Sequence, residues 1–303
     1  MRIVKWTAGV VLVGILGLFA VFLVGFGPGN FGRIFLGVGQ SYDSAPPVLP
    51  AMKSPAILIF SKTNGFRDDA QIVAANAAIE KLVRAKGWSS YTTENAAVFN
   101  PAQLGKFKAV VWNSVSGDVL TVPQREAFRS WIEAGGGFVG LHGSGGDPEY
   151  KWKWYAQELI GAQFIGHTMG PQFQTAMLNV EDRNHPATRH LPARWSRTDE
   201  WYSFASNPRD KGFRVLVTID ESSYSPLAKL PLVGARNIAM GRDHPMIWTH
   251  CVGKGRAFYS ALGHPASAYA EKSHLAMIAG AIGWAAGEDG APCDEGGTAA
   301  SAR

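Results

Sequence analysis

Hydrophobic positions follow two alternating patterns along the chain, which predict alternating strands and helices. Short apolar runs at 56–61 and 108–113 are rich in β-branched residues and predict buried strands. The segment 69–86 between them carries apolar residues at helical spacing. A second helix is predicted over 123–134, and the apolar run 138–141 is the next predicted strand.

The second half of the chain continues the strand pattern and ends in a helix. Four β-like runs lie at 176–180, 213–219, 246–250 and 256–261. Because continuous apolar strands need cover on both faces, the pattern favours an α/β fold, a doubly wound and mostly parallel sheet. Loops that leave the carboxyl ends of such strands gather along one edge of the sheet. Catalytic and ligand-binding residues are therefore expected in those loops.

The amino-terminal pattern predicts a membrane anchor. No charged residue occurs from Trp6 to Gly32, and a transmembrane helix needs about 20 apolar residues. Cleaved secretory signals have apolar regions of about 7–15 residues and a small-residue cleavage site. We therefore predict an uncleaved single-pass transmembrane helix, with secretion after signal cleavage as the alternative. Arg2 and Lys5 predict a cytoplasmic amino terminus, which places the main domain outside the cytoplasm, in the periplasm of a Gram-negative cell.

Composition divides the chain into four predicted segments. The predicted segments are an anchor at 1–36, a proline-containing linker at 37–54, one folded domain at 55–287 and a disordered tail at 288–303. The chain has two cysteines, Cys251 directly after a strand-like run and Cys293 in the predicted tail. No disulfide is predicted between such distant contexts.

Charge argues against a nucleic-acid partner. The 303 residues carry a formal net charge of +5, but three of the cations lie in residues 1–40, where there is no acid. The remainder has 26 basic and 24 acidic residues. A nearly neutral domain does not support binding to a phosphate backbone. We also predict no nucleotide cofactor, and the pattern carries no signal for an oligomeric state.

Three histidines in glycine-flanked turns are the leading candidates for chemistry. His142 occupies the centre of a turn that has the outline of a nucleophile elbow but no Ser or Cys nucleophile. His167 and His264 lie in similar settings. Three imidazoles of this kind can hold a divalent metal such as zinc or manganese, although no short spacing between them specifies a metal site.

Other polar loops supply candidate ligand contacts. Glu200 beside Tyr202 is typical of a general base or a sugar-hydroxyl acceptor, and a helix cap followed by core aromatics is the alternative. Asp68 suits either a ligand contact or a helix cap. Trp152 suits either stacking on a sugar ring or core packing.

Several ordered stretches together resemble the ThuA-like family, named for a trehalose-utilisation protein. The matching stretches are 64–67, 134–142, 164–167, 184–188, 199–202, 207–209, 240–245 with Trp248, 255–259 and 262–264. The resemblance covers roughly 56–287. It implies a flavodoxin-like fold similar to class I glutamine amidotransferases and a role near carbohydrate or keto-sugar metabolism.

The resemblance also implies site residues and one departure from the family pattern. His142, His167, Glu200, Tyr202 and His264 stand where the family's motifs place polar groups at the cleft. The family's first loop typically has Phe-Arg-His, whereas this chain has Asp68 after Phe66 and Arg67. The elbow also lacks Cys, so Cys-dependent amidotransferase activity is not expected.

Two functions follow as hypotheses. The first is a membrane-anchored hydrolase or isomerase of a small carbohydrate derivative, with or without a divalent metal. The second is a non-catalytic module that binds a carbohydrate or a partner. The expected catalytic residues are His142, Glu200 and His264; the expected substrate contacts are Asn64, Arg67, Asp68, Trp152, Asp199 and Tyr202; and the expected metal ligands are His142, His167 and His264.

Overall fold

The structure, a computed structural model, describes residue 17 and residues 27–230, 234–290 and 292–293. The strands within these residues are β1 (Ala56–Phe60), β2 (Ser89–Thr93), β3 (Ala109–Asn113), β4 (Gly137–Leu141), β5 (Phe164–His167), β6 (Phe173–Val180), β7 (Arg194–Glu200), β8 (Tyr202–Phe204), β9 (Arg214–Asp220), β10 (Leu227–Leu230), β11 (Gly234–Asn237), β12 (Pro245–Val252) and β13 (Gly255–Ser260). The α-helices are α1 (Pro28–Phe31), α2 (Asp69–Ala85), α3 (Pro101–Leu104), α4 (Val122–Glu133) and α5 (Lys272–Ala285).

A nine-stranded sheet forms the centre of the molecule, which confirms the predicted α/β fold with a large central sheet. Its strand order is β2-β1-β3-β4-β13-β12-β9-β6-β7. The strands from β2 to β13 pair in parallel, as predicted. The strands from β13 to β7 pair antiparallel, so the sheet is mixed.

Helices cover both faces of the parallel half. Trp112 on β3 packs against Phe128 of α4, with ring centroids 5.3 Å apart. The next residue, Asn113, points to the opposite face because side chains alternate along a strand, and its amide donates to the Ile72 carbonyl of α2. Burial on both faces explains why these strands are continuously apolar in sequence.

The predicted linker lies along the domain. Asp43 pairs with Lys62 at 2.7 Å and its carbonyl accepts from Gln124, and the Pro47 carbonyl accepts from Gln103. Within the part of the chain that the structure describes, no helix is both long and apolar enough to cross a bilayer. The predicted span from Trp6 to Gly32 lies almost wholly outside the described residues.

A disulfide joins the carboxyl-terminal segment to the sheet. Cys251 of β12 pairs with Cys293, with Cα atoms 5.7 Å apart. Asp289 also forms an ion pair with Arg189 at 2.7 Å. The sequence pattern did not predict this disulfide, because the contact depends on how the chain after α5 returns to β12.

Candidate functional site

Sheet topology brings two of the predicted histidines together. β4 and β13 are parallel neighbours, with Leu141 opposite Ser260. His142 directly follows β4, and His264 follows β13 by four residues. Since both strands end at the same edge of the sheet, their imidazoles meet, with Nε2 of His142 2.9 Å from Nδ1 of His264.

The turn at His142 is a tight, buried one. Its φ of +43° lies in the left-handed region that side chains rarely adopt. The Tyr259 hydroxyl donates to the His142 carbonyl at 2.9 Å and holds this conformation. Nδ1 of His142 lies 2.9 Å from the Ala261 carbonyl. Because a carbonyl can only accept, Nδ1 carries the proton and the lone pair of a neutral ring lies on Nε2.

Glu200, at the end of β7, completes a cluster with these two imidazoles. Its carboxylate is 2% exposed as a side chain. Oε2 lies 3.0 Å from Nδ1 of His264 and 3.4 Å from Nε2 of His142. Oε1 accepts from Nδ1 of His167 at 2.9 Å and from the Gln172 amide. Oε2, the front oxygen, therefore faces His142 and His264. Oε1, the rear oxygen, is hydrogen-bonded on the opposite side by His167 and Gln172.

Interactions within the cluster favour the charged forms of Glu200, His264 and His167. Burial raises the pKa of Glu200, but its contacts with the imidazoles of His142, His167 and His264 outweigh burial and hold that pKa well below its ordinary value. Burial lowers the pKa of His264, yet its hydrogen bond to Glu200 and that residue's negative charge raise the pKa overall. The pKa of His167 is raised for the same reasons. Glu200 is therefore an anion that attracts a positive charge.

Asp68 contacts the outer side of the cluster. Its Oδ1 accepts from the Gln71 backbone and caps α2 at 3.1 Å, and its Oδ2 lies 3.4 Å from Nε2 of His264. The helix-cap interpretation of Asp68 is confirmed, and its second oxygen also contacts the cluster. A carboxylate at Nε2 favours the proton on that nitrogen, which leaves the Nδ1 lone pair facing Glu200 when the ring is neutral.

Asp199 holds the cluster in place. It is completely buried. Its Oδ1 accepts from the backbone N–H groups of Glu200 and His264, and its Oδ2 accepts from Gly263 and from Arg197 at 2.9 Å. Asp199 is a predicted substrate contact, but both of its oxygens are occupied within the protein, and its side chain positions Glu200 and His264.

Tyr202 provides a hydroxyl beside the cluster. Its oxygen lies 3.0 Å from Nε2 of His142. Burial and the nearby Glu200 charge raise the pKa of Tyr202 well above its usual range. The phenol is therefore neutral and can donate a proton in a hydrogen bond.

The three convergent atoms are suited to a divalent cation. Nε2 of His142, Oε2 of Glu200 and one ring nitrogen of His264 form a group that could hold a metal ion. Two imidazoles and a carboxylate are ligands that zinc and manganese accept. The outward N–H of His142 faces a backbone carbonyl, and the outward N–H of His264 faces Asp68. Metal-binding histidines typically have such a partner on the nitrogen that does not bind the metal. His167, predicted as the third ligand, instead contacts the rear oxygen of Glu200.

Three other predicted contacts have their partners outside this cluster. The Asn64 amide is occupied by Ser41 and Asp118. The Arg67 guanidinium pairs with Asp69 and Glu94. Trp152 stacks on Trp154 and Tyr155 and lies over Arg125, so it belongs to an aromatic layer beside α4.

Sequence reasoning missed two residues at the site. Gln172 donates to the rear oxygen of Glu200, and the Phe173 ring lies 5.3 Å from the His264 ring. Neither belongs to a glycine-flanked turn. The available signal was their position at the start of β6, whose first residue, Phe173, pairs with Glu200 of β7.

Comparisons with known proteins agree with this fold. The ThuA family model, described as trehalose utilisation, matches residues 56–285. A ThuA-like protein structure from Bacteroides uniformis is 23% identical with a TM-score of 0.64, over 80% of this chain and 95% of that one. A ThuA-like protein structure from Parabacteroides merdae is 17% identical with a TM-score of 0.59, over 77% of this chain and 90% of that one.

No curated protein matches the chain. The two solved structures share its fold. Since the family model spans the whole central sheet together with His142, Glu200 and His264, the chain belongs to the ThuA family.

Proposed function

We propose that this protein is a membrane-anchored enzyme that acts on a sugar or keto-sugar derivative with a divalent metal. The observation that carries the proposal is the triangle formed by Nε2 of His142, Nδ1 of His264 and Oε2 of Glu200, with sides of 2.9, 3.0 and 3.4 Å. Three potential ligand atoms packed this closely in a buried site favour a cation among them, either a metal ion or a proton on one of the rings.

The residues suggest a division of roles. His142, Glu200 and His264 would hold the metal, which supplies Lewis acidity toward a sugar carbonyl or hydroxyl oxygen when bound. The neutral Tyr202 hydroxyl would orient or protonate an oxygen of the substrate next to His142. His167 and Gln172 would fix the rear oxygen of Glu200, so that the front oxygen keeps its direction. Such a site suits hydrolysis or isomerisation of a sugar derivative.

Two observations support a location outside the cytoplasm. The apolar run from Trp6 to Gly32 has the length of a single membrane span. The Cys251–Cys293 disulfide is typical of a protein that matures in an oxidising compartment. An anchor followed by an extracytoplasmic domain accommodates both features.

The test combines metal analysis with a substrate screen on the full chain purified in detergent. Zinc, manganese and iron are measured per chain, and glucosides and 3-keto-glucosides are offered as substrates. His142→Ala and His264→Ala are compared with wild type and with His190→Ala, which removes an exposed histidine.

We expect about one metal per chain and turnover in wild type and His190→Ala, and loss of both in the two site variants. Equal metal content in all four proteins would refute the assignment of the ligands. Sugar binding without any product would instead favour the non-catalytic binding module.

A further inference from the structure

An exposed apolar segment lies at the start of the described chain. Ile34, Leu36 and Val38 are 39%, 66% and 64% exposed, and they lie within eight residues of Phe31. Soluble surfaces rarely group apolar side chains in this way unless something covers them. The segment directly follows the uncharged sequence from Trp6 to Gly32, so a bilayer is the nearest apolar surface the sequence offers.

The same segment is attached to the loop that carries Asp68. Asn30 forms two hydrogen bonds with the backbone of Arg67, through its amide nitrogen at 3.0 Å and its oxygen at 2.8 Å. The Arg33 guanidinium donates to the Gly65 carbonyl at 3.1 Å. Ser41 and Asn64 exchange another pair of hydrogen bonds. Five hydrogen bonds thus fix residues 30–41 on the loop 64–67.

Chain length places the predicted span close to the site. Phe26, the last large apolar residue before the described chain, is four residues from Asn30. Four residues reach at most about 14 Å. Asn30 contacts Arg67, and the next residue, Asp68, contacts His264. A membrane entered at Phe26 therefore lies beside the His264 side of the cluster.

Two exposed aromatic rings lie near the cluster, one in space and one in sequence. Phe173, whose ring lies against His264, is 41% exposed, and Phe66, two residues before Asp68, is 40% exposed. A site open to bulk water gains nothing from exposing such rings, whereas a lipid surface or an acyl chain can cover them.

We propose that residues 32–38 rest in the headgroup layer of the bilayer and that the cluster opens at the membrane surface. The substrate is accordingly a sugar derivative carried on a lipid. The evidence for the membrane contact is the exposed apolar segment and its hydrogen bonds to the loop 64–67. The substrate class rests on the proposed function.

A depth measurement tests the membrane contact without using activity. Both natural cysteines are paired in the disulfide, so Leu36→Cys introduces a single free thiol for an environment-sensitive dye. The labelled full chain is inserted in phosphatidylcholine vesicles that contain a spin-labelled quencher lipid. Val122→Cys, labelled in the same way at a residue that is 62% exposed on α4, is the matched control.

We expect the dye at residue 36 to lose most of its emission to the quencher lipid, while the dye at residue 122 keeps its emission. Equal quenching at both sites, or none at residue 36, overturns the proposal. Protection of residue 36 from aqueous iodide without lipid quenching also overturns it, because a protein surface would then cover the segment.

A second experiment addresses the substrate class. Ile34→Asp with Leu36→Asp places two charges on the segment, and Val122→Asp is the control. We expect a several-fold loss of turnover of a vesicle-borne glycolipid in the double variant, with unchanged turnover of a short-chain soluble glycoside. Equal rates on both substrates in all variants refute the lipid-borne substrate. Absence of turnover in wild type refutes the proposed function and leaves the depth measurement valid.

Discussion

At the scale of single side chains, the properties of the site depend on where two protons lie. His142 donates Nδ1–H to Ala261, and Asp68 favours a proton on Nε2 of His264. The two inner nitrogens of neutral rings then face Glu200 with lone pairs. The Tyr202 hydroxyl donates to Nε2 of His142, and a cation beside Nδ1 of His264 would relieve the remaining repulsion from Glu200. An additional proton on His264 does this. Burial lowers the pKa of His264, but its hydrogen bond to Glu200 and the charge of Glu200 raise that pKa overall. A metal ion bound as proposed would therefore compete with this proton for one position.

Replacement of Asp68 tests its role behind His264. Asp68→Asn keeps the cap of α2, because an Asn side chain accepts from Gln71 equally well, but it is a weaker acceptor for Nε2–H of His264. We expect metal affinity to fall about 10–100-fold while the free energy of unfolding without metal changes by less than about 0.5 kcal/mol. Competition with a chromogenic chelator measures the affinity. Asp69→Asn removes a neighbouring exposed carboxylate, and an equal loss in that control would contradict the assignment.

Asp147 supplies a pH-dependent prediction away from the metal ligands. Burial raises the pKa of Asp147 to about 7, although its carboxylate accepts from the Gly117 backbone at 2.6 Å. A folded pKa above the unfolded value of 3.8 means that stability falls as the pH rises from about 4 to about 7. Asp147→Asn keeps an acceptor for Gly117 but does not ionise. We therefore expect this variant to gain stability relative to wild type over that range, on the order of 1–2 kcal/mol by pH 8.

Urea unfolding at pH 4.5, 6 and 8 measures this difference. Glu149→Gln, which removes an exposed carboxylate two residues away, should follow the wild-type profile. A constant difference between Asp147→Asn and wild type at all three pH values would show that the carboxylate does not titrate in this interval.

Sequence alone identified the chemical groups but not their arrangement. Glycine-flanked turns singled out His142, His167 and His264, and the Asp199-Glu200 pair marked a polar loop. Which nitrogen faces inward depends on long-range partners such as Ala261, 119 residues from His142. That is why His167 was expected among the ligands, whereas the structure places Glu200 beside His142 and His264.

At the scale of elements, apolar runs located seven of the nine strands of the sheet, but neither its edge strands β2 and β7 nor the antiparallel pairing of its second half was predicted. Strands β1, β3 and β4 are buried at every position and separated by helices, so continuous apolar runs identify them. β6 has an exposed start and then alternates between buried and partly buried positions. Alternation is typical of an antiparallel strand with one wetter face, and only its apolar end was visible as a run.

The disulfide connects the last described residues to this antiparallel half. Cys293→Ser removes the link across a sequence separation of 42 residues. We expect the free energy of unfolding to fall by about 2–4 kcal/mol, because the unfolded chain regains the freedom that the closed loop removes. Denaturant unfolding with and without a thiol reductant measures the change. Reductant should weaken wild type to a similar extent and leave Cys293→Ser unaffected, and a reductant effect on that variant would exclude the disulfide as its source.

At the scale of the whole molecule, the cluster joins distant parts of the chain. His142 follows the parallel half of the sheet, Glu200 ends the antiparallel edge strand β7, and His264 follows β13 between them. Asp199 reinforces this connection by binding the backbones of both Glu200 and His264. An ion that engages all three ligands binds only when both halves of the sheet are folded, so its binding energy adds to the stability of the entire domain.

This coupling predicts a metal-dependent melting temperature. Free metal at about 100 times its dissociation constant should stabilise the folded chain by about 2.7 kcal/mol, which corresponds to a rise in Tm of about 5–10 °C for a domain of this size. Calorimetry of the full chain with added zinc or manganese, and again after a chelator, measures the shift. Wild type and His190→Ala should respond equally, since His190 lies outside the cluster, whereas Glu200→Gln and His142→Ala should not respond. A shift that persists in the cluster variants would show that the stabilising metal binds at another site, because binding at the cluster requires the Glu200 and His142 side chains.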